Sequence, residues 1–132
     1  MKRNKTILTG VLILMTSFSS YAGESAINTE IGNEIAKRTI IPVLIAHKLC
    51  SDAQSCWFND DHVKMSAKTG VEFFIYGIAD RKIINELLIA ITQASNQYPS
   101  SLQLSVDLFS HPYSERSIWK RPVAQLSIKG WK

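Results

Sequence analysis

The sequence predicts a two-layer α+β domain, with two helices on one face of a largely antiparallel sheet of about four strands, in the order α-β-β-α-β-β. Three observations predict it. Residues 71–76 gather Val71, Phe73, Phe74, Ile75 and Tyr76, side chains that suit a pleated, half-buried surface. Just beyond, Ile83, Ile84, Leu87, Leu88, Ile91 and Ala94 fall on one helical face, with Arg81, Lys82, Asn85, Glu86, Gln93 and Asn96 on the other. Two later segments alternate with period two, placing Leu102, Leu104, Val106 and Leu108, then Ala124, Leu126 and Ile128, on a single covered face.

Taken in chain order, the first 22 residues read as a removable leader. Lys2, Arg3 and Lys5 precede an apolar run over 7–18, and Ser20 and Ala22 are small residues at the positions a signal peptidase reads, so cleavage is expected after Ala22. The apolar run is shorter than the roughly 20 residues a hydrocarbon core requires. No later segment approaches that length. Residues 23–132 are then one exported domain, most simply periplasmic, with a single core.

The charge of the whole chain is +4, but three of its fifteen basic residues and none of its eleven acidic ones lie in the leader. Twelve against eleven leaves +1, which argues against nucleic-acid binding by net charge. Within the last part of the chain Arg116, Lys120, Arg121, Lys129 and Lys132 face one acid, Glu115. Such a basic end suits an acidic partner or membrane surface, or is an ordinary solvated face.

Ile27, Ile31 and Ile35 recur at fourfold spacing, predicting an amphipathic helix over 24–38. The apolar run 39–46 contains Pro42, which would remove a strand donor, and it ends on His47 and Lys48. A long helix kinked near Pro42, or a second helix with Pro42 in its first turn, fits best. Cys50 and Cys56 are expected to form a disulfide, because export favours oxidation; a loop this short contributes roughly 2 kcal/mol. Trp57 and Phe58 should tuck in beside the bridge. Residues 62–77 read as a hairpin with Gly70 at a positive-φ position in its turn. Asp80 is placed to cap the following helix, and Tyr98 with Pro99 to stop it. After the strand ending near Phe109 comes a polar loop in which His111 is a turn residue, and Ile118 and Trp119 suit the start of the returning strand. Trp119 and Trp131 read as packing residues.

If both helices share one side, Phe74, Tyr76 and Phe109 point to the other. They are then either an exposed aromatic binding surface or a patch covered by the first helix or a terminal segment. His47, Cys50, Cys56 and His62 make a zinc-type ligand set, and His47, Asp60, Asp61 and His62 a metal set that spares the disulfide. Against them stand oxidation of the thiols and the divergence of successive side chains in an extended segment. Five residues between the cysteines also depart from a redox Cys-x-x-Cys pair. Ser117-x-x-Lys120 and Lys68-Thr69-Gly70 match fragments of penicillin-recognising enzymes, but in reversed order on too short a chain. Neither a phosphate loop nor a dinucleotide fingerprint occurs, so no cofactor is expected.

These features predict a non-catalytic exported protein-interaction module, of the inhibitor, immunity or envelope-accessory kind, contacting another envelope protein. Its candidate contacts are Trp57, Phe58, Phe74, Tyr76 and Phe109. The alternative is a small metal-binding protein or metal-dependent hydrolase using His47, Asp60, Asp61 and His62.

Overall fold

A computed structural model describes residues 21–99 and 101–128; residues 1–20 of the expected leader, with Lys129, Trp131 and Lys132, lie outside the described residues. The chain runs α1 (Tyr21–Ile35), a π-helical turn (Ala36–Ile40), α2 (Ile41–Ala46), a second π turn (Ser55–Asn59), β1 (Val63–Ser66), β2 (Val71–Ile75), α3 (Arg81–Ser95), β3 (Leu104–Leu108), a 3-10 turn (Tyr113–Glu115) and β4 (Ala124–Ile128). The predicted α+β architecture is therefore the one observed.

The sheet order is β1-β2-β3-β4. The outer ladders are antiparallel hairpins, and the middle ladder, β2 with β3, is parallel. That exception follows from α3, the crossover that returns the chain to the end where β2 began. Asp80 caps α3 by accepting a hydrogen bond from the Lys82 backbone N–H at 2.8 Å. Ile83, Ile84, Leu87 and Ile91 of α3 are buried in one cluster with Phe73 and Ile75 of β2, Val106 and Leu108 of β3, and Ile35, Ile40 and Leu44 of the first helical layer. One face of the sheet thus carries the core, as the alternation predicted.

The first helical layer is continuous from Tyr21 to Ala46 but changes pitch. Pro42 has no N–H for the carbonyl of Arg38, and its ring would crowd that carbonyl in a regular helix. The chain widens one turn earlier instead: the Ile41 N–H reaches back five residues to the Ala36 carbonyl, and Pro42 sits in the opening turn of α2. The predicted kink is a π turn. At the other end, Leu49 N–H bonds the Leu44 carbonyl and Lys48 N–H the Ile45 carbonyl, both at 2.9 Å, with Lys48 at φ 61°. This is a Schellman end with lysine where glycine is usual.

Two expectations need correction. Gly70 does not take a positive φ; Gly77 does, at 77°. Gly70 is required for closeness, since a Cβ there would lie 2.7 Å from the Gln103 carbonyl oxygen. Ile118 and Trp119 do not open the returning strand, which begins at Ala124. Pro122 lacks a ladder donor and sits just ahead of β4, so the two apolar residues stay in the loop. No helix among the described residues is long and apolar enough to cross a membrane.

Candidate binding surface

The sheet face turned away from the helices carries, in register across β1 to β4, Lys64, Phe74, Asp107 and Gln125. Gln125 donates to the Asp107 carboxylate at 3.0 Å. One row further on, Tyr76 stacks on Phe109 with ring centroids 4.8 Å apart and planes 11° from parallel. The polypeptide between β3 and β4 folds back over this pair. Tyr113 meets Tyr76 edge-on at 5.1 Å, and His111 is wedged edge-on against Tyr76 and Phe109 at 5.6 and 5.2 Å. The Lys64 ammonium and the Arg116 guanidinium lie 4.4 and 4.0 Å from the Tyr113 ring centre.

Tyr76 is consequently buried, at 8% exposure, while Phe74 and Phe109 are half-buried. Burial holds the Tyr76 phenol above its usual range; the Tyr113 phenol and then Asp107 add to this, and Arg116 opposes it. Of the three aromatics placed on this face from sequence, Tyr76 is therefore not an open contact. Among the described residues its cover is the β3–β4 loop and not the first helix.

The disulfide corner lies at the β1 edge. Cys50 and Cys56 are bonded and buried, with Cα atoms 5.3 Å apart. The Ser55 backbone N–H donates to the Asp52 carboxylate at 2.8 Å, and the Ser55 hydroxyl donates to Asp60. Trp57 packs half-buried against the core, as expected. Phe58 does not: it is 68% exposed. In the widened π turn its side chain is carried away from the core, while the neighbouring Cys56 is held inside. Lys64 joins the corner to the sheet face, since its ammonium reaches the Asp61 carboxylate at 2.6 Å and the Trp57 carbonyl at 3.4 Å.

The candidate metal ligands are not brought together. His47 Nε2 pairs with Glu86 at 2.7 Å, Asp60 with Ser55, and Asp61 with Lys64. The His62 ring bridges two backbone carbonyls, Nδ1 to Tyr76 at 2.7 Å and Nε2 to Leu49 at 3.1 Å. Both thiols are consumed by the bridge, and no group of three or more His, Cys, Asp or Glu among the described residues is arranged to hold a metal ion. His62 instead ties the disulfide loop to the end of β2, where Gly77 leaves room for its ring.

A comparison with known proteins decides what weight analogy can carry. No family model, no curated protein and no solved structure matches this chain. The functional reading therefore rests on the sequence and the geometry, without analogy.

Sequence reasoning placed a polar loop after β3 but missed what it does and that it extends over residues 110–123. Tyr113 is the lid on Tyr76, and Ile118 and Trp119 occupy the two corners of a turn closed by the Lys120 N–H on the Ser117 carbonyl at 3.1 Å. The available signal was a pair of adjacent large apolar residues outside any alternation, between Ser117 and Pro122.

Proposed function

We propose that the chain is a non-catalytic, exported binding module of the cell envelope, most simply periplasmic, which captures another envelope protein through the disulfide corner and the adjoining sheet face. The observation that carries this reading is Phe58, 68% exposed on a turn whose two ends are locked by a buried disulfide and by the Asp52 and Asp60 hydrogen bonds. An exposed ring normally forfeits rotamer and backbone freedom on binding; here the backbone cost is already met by the covalent brace. Rigid aromatics of this sort are the residues around which protein contacts concentrate their energy. Phe74, half-buried in register with Lys64, extends the apolar area, and the Lys64 ammonium supplies a charged rim.

A photo-crosslinking side chain in place of Phe58 tests the proposal in the producing cell, with the same group at exposed Gln93 on α3 as control. One discrete protein adduct from position 58 and none from position 93 supports it. Equal adduct patterns from both positions, or none from either, would overturn it.

A further inference from the structure

We propose that the turn carrying Ile118 and Trp119 is a docking tip for a lipid bilayer with anionic headgroups, a second contact independent of the partner site at Phe58. The central positions of a hydrogen-bonded β-turn ordinarily hold Gly, Pro, Asn, Asp or Ser, because they are solvated and their backbone is constrained. Here the two positions are Ile118, 90% exposed, and Trp119, 84% exposed. They are the two most exposed large hydrophobic side chains among the described residues. Nothing in the local fold requires them. The turn is closed by backbone and by Ser117, whose hydroxyl oxygen accepts from the Trp119 N–H at 3.1 Å. A tip that is apolar without a structural need has its use outside the chain.

The charges around the tip identify the surface it meets. Arg116 lies two residues before Ile118, and Lys120 and Arg121 follow Trp119 directly; Glu115 is the one acid of the loop, 3.5 Å from Lys120. A cationic collar behind an apolar tip complements a bilayer: the basic groups meet phosphate headgroups while Ile and the amphipathic indole sit at the headgroup–acyl boundary. Long basic side chains can lay their stems along apolar surface and keep their charges at the headgroup level. The convex shape favours lipid over protein, because a bilayer accepts a protruding tip without a pre-cut pocket. The loop is also held in place from behind, since Tyr113 stacks edge-on against buried Tyr76 and Arg116 donates from Nη1 to the Tyr113 carbonyl at 3.1 Å.

The test is co-sedimentation of the oxidised, folded chain from residue 23 onward, the form expected once the basic, apolar leader is removed, with phosphatidylglycerol-containing and pure phosphatidylcholine vesicles, with tryptophan emission recorded in parallel. Binding should be selective for the anionic vesicles and fall as salt rises; neutralising either Lys120 or Arg121 should weaken it about fivefold, the share of one basic residue near such a surface. The emission should shift to the blue, a shift lost in Trp119→Phe and kept in Trp57→Phe. Ile118→Ser with Trp119→Ser should abolish binding with an unchanged circular dichroism spectrum, whereas Phe58→Ser should bind as the parent does. Equal binding to both vesicle types, no binding at all, or full binding by the double serine variant each overturns the assignment. Failure here leaves the crosslinking result at Phe58 untouched, so the two proposals stand or fall separately.

Discussion

The turn at Trp57 and Phe58 and the turn at Ile118 and Trp119 both hold two adjacent large apolar residues with one or both side chains in solvent, yet they are fixed by different forces. The first is braced covalently by Cys50–Cys56 and by the His62 ring between two carbonyls. The second is placed by stacking, through Tyr113 on Tyr76, and closed by one backbone hydrogen bond. The disulfide acts largely by restricting the unfolded chain, while the stack acts only in the folded state. The first turn should therefore depend on redox conditions and the second on the packing of one aromatic pair.

Tyr76→Ala should have the largest effect, because it removes the buried ring beneath the lid: about 3 kcal/mol of stability by chemical denaturation. Limited proteolysis should then cut within residues 113–121 first. Early cutting beside Phe58 instead would show that the two turns are not independently held. Replacing both cysteines by serine should cost roughly 2 kcal/mol. It should speed cleavage near Trp57 and leave lipid binding by the tip intact; loss of vesicle binding in that variant would break the contrast.

Tyr98 supplies a control remote from both turns. Its hydroxyl donates to Glu34 at 2.6 Å, joining the segment after α3 to α1. Burial first, then the bond to the Glu34 carboxylate and its charge, push the phenol up to about 12 from 10.0. A folded value above the unfolded one means that the protonated phenol stabilises the fold below pH 10 and that this contribution is lost as the pH rises toward 12. Tyr98→Phe should cost about 0.5 kcal/mol at neutral pH, given how exposed the pair is, and flatten the alkaline loss measured by thermal unfolding. The smallest change is expected from Phe58→Ser and from Ile118→Ser with Trp119→Ser, each within about 0.5 kcal/mol of the parent. A larger loss would mean that these side chains serve the fold.

Much of the architecture was legible because period and capping are local. The α3 face, the Asp80 cap, the alternation of β3 and β4 and the disulfide were all readable from neighbours a few residues apart. The kink before α2 was legible as a position but not as a shape, since Pro42 announces a missing donor without saying which wider hydrogen bond replaces it. Gly70 was assigned the wrong reason: the approach of the Gln103 carbonyl comes from the parallel β2–β3 ladder, more than thirty residues away in sequence. The surface was the least readable part. Whether Tyr76 is open or covered depends on a loop thirty-seven residues further on, and Phe58 and Trp119 became exposed because of where a π turn and a proline placed them.

The sequence by itself determined which segments are helices and strands, which face of each is apolar, and, on the expectation of export, that the two cysteines pair; these depend on periodicity and on chemistry within one element. Only the tertiary structure decided that the two central strands run parallel, that Tyr76 lies beneath Tyr113, that His62 bridges carbonyls of two separate segments, and that two pairs of apolar residues stand at turns. The first three are contacts between parts of the chain far apart in sequence, set by how the layers pack, which no local pattern encodes, and the fourth follows from where a π turn and Pro122 end the neighbouring elements.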